Sequence, residues 1–345
     1  MTGTVLDCAG ARMGGAHRLV NELDRYLRDH PTRLEVVGRG RALTGAWLIR
    51  REASRRMPTR VVALNNVSYQ TLGRERRVLV HNALHFLTPT EASDLGRLVP
   101  RSTFVQGQVI RESLRRADTV WVPSSSMAER VIRAVPTVAG RLAVRHNPLS
   151  PPPVISSPAI EASPAIAASP PVIASPAIGA EPRAEFLCPV LPSPYKKTTE
   201  RLAVLLEACD RLAQSPDGIA ASLVITANTG DITSPEILRH PRLRVIGHQE
   251  LDVVHTLISR CTAVIFPFEL ESFGYPLAEA RVLGVPVVAL QSAHNQEIAG
   301  QALVPYQRQE PEQVAAAMFA ARTARPPAET GTAFSRDRYF DELLG

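Results

Sequence analysis

The run CTAVIFPFELESFGYPLAE, residues 261–279, decides how this chain folds. Its first eight residues are almost continuously apolar, as in a strand covered on both faces of a parallel sheet. Glu269 to Tyr275 reads as a turn, and Pro276 suits the first turn of a helix, where a missing N–H costs nothing. LAEARVL continues as helix, Gly284 stops it, and VPVVAL begins the next strand. The N–H groups of Ser272, Phe273 and Gly274 then lie at a helix N-terminus, which favours an anion. Gly274 lets the backbone approach a ligand closely. Glu279, one turn in, is placed to accept both hydroxyls of a diol, and Glu271 to accept hydroxyls of a second group. An ordinary strand–loop–helix with a glutamate complementing the helix dipole has the same pattern, so its neighbours must decide.

Outward from this stretch the pattern repeats. Strand-like runs occur at GTVLDCA, LEVVG, RVVALNN, RVLVHNA, TVWVPS and LAVRHN in the first half. In the second they occur at AEFLCPVL, ASLVITA, LRVIGH, AVIFPF, VPVVAL and ALVPY, with helical spacing between them. Such alternation predicts parallel sheets with helices on both faces. From Ser157 the text runs SPAIEA SPAIAA SPPVIA SPAIGA. Proline this dense predicts an extended linker. The expected division is a first Rossmann-like domain at 1–148, a linker at 149–185 and a second domain at 186–345. Ligands of doubly wound domains sit at the carboxyl ends of strands, here expected in a cleft the two domains face.

The segment from Cys261 to Gly300 resembles the signature of retaining GT-B glycosyltransferases of the GT4 type. It carries Glu271 and Glu279 eight apart, then Gly284-Val285-Pro286-Val287-Val288 and Glu297-Ile298. FLCPVLPSPYKKTTERLAVLLEA resembles the family's donor-phosphate segment, while MGGAHRLVNEL and ADTVWVPSSSMAERV match more loosely. The resemblance implies a GT-B fold, an acceptor in the first domain and a nucleoside-diphosphate sugar as co-substrate in the second, with no cofactor. By it Glu279 holds the ribose, Glu271 the transferred sugar, and the backbone of Ser272, Phe273 and Gly274 the diphosphate. Gly14 and Gly15 would let the first strand–helix turn approach the donor phosphates.

Only two of the 39 basic side chains are lysines, and they adjoin: Lys196 and Lys197. So restricted a use of lysine suggests that a point charge is wanted there. The family pattern sets an Arg five residues before a Lys, both on the diphosphate. Lys196 takes the Lys position, but Leu191 stands at the Arg position, with Lys197 or Arg201 as substitutes. His81 and His85 follow the strand RVLV. The resemblance puts a histidine of this region near the sugar; His81 is the nearer to the strand end, and His85 is assigned to the acceptor. Asn65 and Asn66 end another strand and are candidate acceptor contacts.

Residues 1–148 hold 24 arginines, no lysine and 12 acids, a net of +12, while the remainder carries 15 basic and 21 acidic groups. A basic first half points to an anionic partner: a phosphorylated acceptor, or an anionic membrane touched peripherally. The acceptor is expected to be a small molecule, a glycan or a lipid-linked group. No basic stretch is interleaved with aromatics as base stacking requires, so nucleic acid is not expected. The four cysteines are dispersed, and no metal-ligand cluster or paired aspartates stand out, so no metal is expected. No signal peptide or membrane-length apolar run is read, which leads to a cytoplasmic expectation, with peripheral contact at the inner face of the membrane. Two rivals share the fold: a degenerate partner subunit without activity, and a nucleotide-sugar epimerase-like enzyme.

Overall fold

The computed structural model describes residues 3–12, 14–32, 34–53, 57–150, 183–189 and 192–345, without the side chain of Arg183. The Ser-Pro repeat and Leu191 lie outside the described residues. Each of the twelve runs read as strands forms one, and the strands build two six-stranded parallel sheets. The chain divides into two compact units.

The first unit takes residues 1–150, Leu270–Tyr275 and Thr330–Gly345. Its elements are β1 (Thr4–Asp7), α1 (Gly14–Asp29), β2 (Leu34–Val37), α2 (Gly45–Glu52), β3 (Arg60–Ala63) and β4 (Glu75–Leu79). There follow α3 (Pro89–Leu95), α4 (Arg101–Leu114), β5 (Thr119–Val122), α5 (Ser125–Ala134) and β6 (Leu142–Val144). The strand order is β2-β1-β3-β4-β5-β6. Because side chains alternate across a strand, Val61, Val78 and Val120 pack with α4 and α5 on one face. Their neighbours Val62, Leu79 and Trp121 pack on the other, with Leu19, Leu23 and Tyr26 of α1.

The second face corrects one expected boundary. Residues 330–345 do not join the second domain. The C-terminal helix, Arg336–Leu344, buries Tyr339, Phe340 and Leu343 in the α1 cluster. Tyr26 Oη donates to Asp341 Oδ1 at 2.6 Å, and Arg77 Nη1 donates to the carbonyls of Glu342 (2.7 Å) and Leu343 (2.8 Å). A cation on the last carbonyls of a helix satisfies acceptors that no backbone N–H reaches.

The second unit runs through Glu269 and from Pro276 to Glu329. It contains β7 (Arg183–Cys188), α6 (Thr198–Gln214), β8 (Ala220–Ile225), α7 (Pro235–Leu238), β9 (Leu243–Val245) and α8 (Leu251–Arg260). It continues with β10 (Ala263–Phe266), α9 (Tyr275–Leu283), β11 (Val287–Leu290), α10 (Ala293–Ala299), β12 (Leu303–Tyr306) and α11 (Pro311–Ala321). The C-terminal helix is therefore α12. The strand order is β12-β11-β10-β7-β8-β9, so the direction of winding reverses between β7 and β10. All four residues of β10 are buried, as its apolar run requires. Gly284 ends α9 with φ +67°, and a Cβ there would sit 3.0 Å from the Ala328 nitrogen and 3.1 Å from the Pro326 oxygen.

Two predictions concern stability. Gly284→Ala should cost about 2 kcal/mol or more, from the left-handed backbone and the backbone contact together; an unshifted urea midpoint would contradict this. Glu91 caps the start of α3 and takes a two-pronged hydrogen bond from Arg130 (2.6 and 2.8 Å), which holds its carboxyl down at about 2. Its stabilising effect should be complete above the ordinary carboxylate range and fade as pH falls from about 4.5 towards 2. Glu91→Gln should flatten that part of the stability–pH curve, measured by chemical denaturation.

Candidate functional site

In the second unit the loops after β7 and after β10 flank the point where the winding reverses, the ligand-binding position of doubly wound sheets. The loop after β7 ends in a single 3-10 turn, Pro194–Lys196, that leads into α6. Lys196 Nζ lies 4.8 Å from the ring centre of Phe268, just past β10, so the lysine reaches across to the second loop. Lys197 sits at the N-cap of α6 with φ +49°, a left-handed conformation uncommon for a non-glycine residue. Arg201 gives Nη2 to Glu269 Oε1 at 2.5 Å, which ties α6 to the loop after β10.

Glu279 lies within α9 and is 2 % exposed. His255 of α8, 6 % exposed, approaches it with Nε2 at 3.4 Å from Oε1. A buried carboxylate requires partners of this kind. The crossover from β9 back to β10 is right-handed by general rule, which sets α8 on the same face as α9 and makes the approach possible.

In the first unit, Ser124 caps α5 and gives its hydroxyl to the Ser272 carbonyl at 2.7 Å. Phe273 is buried among His146, Tyr275 and Phe334. Gly274 has φ +80°, so the turn into α9 itself demands a glycine there. Glu271 is half-buried. Gly14 opens α1 with φ +60°, and a Cβ on Gly15 would lie 3.2 Å from Tyr275 Cε2. The close approach that Gly15 permits is thus occupied by the Tyr275 ring, over which Arg18 also lies, at 5.2 Å.

His81 follows β4, and its N–H donates to Asn66 Oδ1 at 2.7 Å. Burial, with His85 nearby, pushes its imidazole down to about 4, so it is neutral near pH 7. Asn66 adopts φ +69° to make this link. Asn65 and His85 are turned inward. Asn65 Nδ2 donates to Asp7 Oδ2 at 2.9 Å. His85 Nε2 meets Asn82 Nδ2 at 3.1 Å, and its carbonyl accepts from Arg111 Nε and Nη2.

Asp7, at the end of β1, is wholly buried and anchors a network with no counterpart in the sequence reading. It accepts from Arg51 Nη1 (2.8 Å), Asn65, Trp47 Nε1 and the Ala9 N–H. Arg51 Nη2 donates to the carbonyls of Val67 and Ser68, and its guanidinium lies 4.2 Å from the Tyr69 ring centre. An aspartate ending an apolar strand was the available signal for Asp7. His255 was signalled by its place on the apolar face of α8, between Val254 and Leu257. Arg51→Ala would leave Asp7 buried and uncompensated, and should cost about 3–5 kcal/mol. Replacing both, as Asp7→Asn with Arg51→Met, should cost less; equal losses in urea denaturation would refute the pairing.

Residues 190–321 match the family model described as glycosyl transferases group 1. No curated protein matches the sequence significantly. Among solved structures, sucrose-phosphate synthase from Thermosynechococcus elongatus is similar, at 15 % identity and TM-score 0.61, over 100 % of this chain and 95 % of that one. WaaG, a glycosyltransferase involved in lipopolysaccharide biosynthesis, is similar at 13 % identity and TM-score 0.61, over 99 % and 96 %. The UDP-GlcNAc 2-epimerase of Methanocaldococcus jannaschii is similar at 11 % and 0.53, over 99 % and 98 %. At these identities the structures establish the fold, GT-B. No helix among the described residues is long and apolar enough to cross a membrane.

Proposed function

We propose that this chain, a group 1 glycosyltransferase by the match over residues 190–321, moves a sugar from a nucleoside-diphosphate sugar to a hydroxyl acceptor with retention and without a metal ion on the diphosphate. The observation that carries the reading is Glu279, a buried carboxylate in the helix that follows the switch-point loop of the second sheet. Such a group suits a ribose diol, which offers two donors to one carboxylate. Lys196 sets a point charge beside the same loop, and the N-terminus of α9 adds the partial charge of its N–H groups. Both serve the negative charge that grows on the departing diphosphate. Glu271, eight residues before Glu279, is assigned to the hydroxyls of the transferred sugar.

The bond from the anomeric carbon to the diphosphate oxygen breaks as the acceptor oxygen bonds to that carbon from the same face. The acceptor proton passes to the departing phosphate oxygen. Neutral His81 suits a hydrogen bond to an uncharged sugar hydroxyl. The +12 charge of residues 1–148 favours an anionic acceptor, such as a phosphorylated or lipid-linked glycan. A second reading, epimerisation of the nucleotide sugar, is favoured by the likeness to the 2-epimerase. Incubation with a nucleotide sugar alone, followed by NMR of the sugar, separates the two.

Thermal stabilisation by UDP, GDP and ADP and their sugar conjugates tests the donor site. A nucleotide at a hundred times its dissociation constant should add about 2.7 kcal/mol. Glu279→Ala should remove most of that gain. Folded protein that none of these ligands stabilises would overturn the proposal.

A further inference from the structure

We infer that His255 is a positioning residue for nucleotide binding: it fixes the Glu279 carboxylate in the orientation that a ribose diol needs. The inference rests on the reading of Glu279 given above. His255 is buried in α8 beside Val254, Leu257 and Ile258, and next to Thr256, whose hydroxyl is used on the Asp252 carbonyl. A leucine would serve that face at no polar cost, whereas a buried imidazole must be compensated. Its Nδ1 has no hydrogen-bond partner among the described residues. Its Nε2 faces Glu279 Oε1 at 3.4 Å, so the carboxylate is the acceptor within its reach. A proton on Nε2 therefore has an acceptor, whereas one on Nδ1 has none among the described residues.

The separation is long for a hydrogen bond, and the pair closes up as the carboxylate takes up its ligand. A carboxylate can accept about four hydrogen bonds. With one accepted from His255, on the helix behind, the carboxylate is held in one orientation and keeps capacity for a diol. Twenty-three residues and the whole of β10 separate the pair in sequence, so the contact exists only because α8 and α9 cover the same face of the sheet.

Titration calorimetry with UDP, GDP and ADP on wild type, His255→Leu, His255→Gln, Glu279→Ala and the double variant His255→Leu/Glu279→Ala tests this. For whichever nucleotide binds wild type, His255→Leu should raise Kd about tenfold, the loss of one hydrogen bond to a charged group. His255→Gln, whose amide nitrogen reaches about as far as Nε2, should recover most of it. In the Glu279→Ala background His255→Leu should cost nothing more. With a 2′-deoxynucleotide the His255→Leu effect should shrink, which a purely structural role would not produce. Unchanged affinity in His255→Leu, or additive losses in the double variant, would overturn this inference and leave the donor reading standing. Absence of binding by wild-type protein would overturn both.

Discussion

The second unit depends on one placement: β10 lies between β7 and β11. Ala263 and Val264 pair with Phe186 and Leu187 on one side, and Val264 to Phe266 pair with Val287 to Ala289 on the other. A strand inserted there must be apolar on both faces, which CTAVIF is. The same placement reverses the winding of the sheet, so the chain leaving β10 meets the chain leaving β7. Lys196 over Phe268 and Arg201 on Glu269 are the side-chain results of that meeting. Doubly wound sheets bind their ligands at such a reversal.

The first unit meets a different constraint at the end of β1. Asp7 is charged and wholly buried, and only a dense set of donors makes that tolerable. Arg51 supplies the opposite charge and also closes the carbonyls of Val67 and Ser68. One guanidinium thus joins α2, the end of β1 and the chain leaving β3. Its planar fork allows this, and a lysine ammonium lacks that geometry.

The strands were legible because burial on both faces writes itself as short apolar runs, and β10 to α9 was legible because proline and glycine mark its ends. The helix start at Tyr275, one residue before Pro276, is an ordinary boundary difference. What stayed hidden were pairings between distant positions. RDRYFDELL shows an apolar face but not that α1 will cover it. Arg51 and Asp7 are 44 residues apart, and nothing local links them. Glu279 could be placed on its helix, whereas the imidazole behind it could not, because only the fold brings α8 and α9 together. Gly274 and Gly15 were read as making room for a ligand. The turn geometry at the first and the Tyr275 ring at the second are what the structure shows there.

The C-terminal helix carries a consequence for how the chain comes off the ribosome. Tyr339, Phe340 and Leu343 complete the core that Leu6, Leu23 and Val62 begin, more than 270 residues earlier. The core of the unit whose strands are made first is therefore incomplete until α12 has emerged. The second unit has all of its own strands and helices by Ala321, before α12 is synthesised. Vectorial synthesis normally lets the N-terminal unit finish first; here the order of completion is inverted. A nascent or prematurely terminated chain will expose the α1 face of the first sheet, the surface a chaperone would be expected to hold.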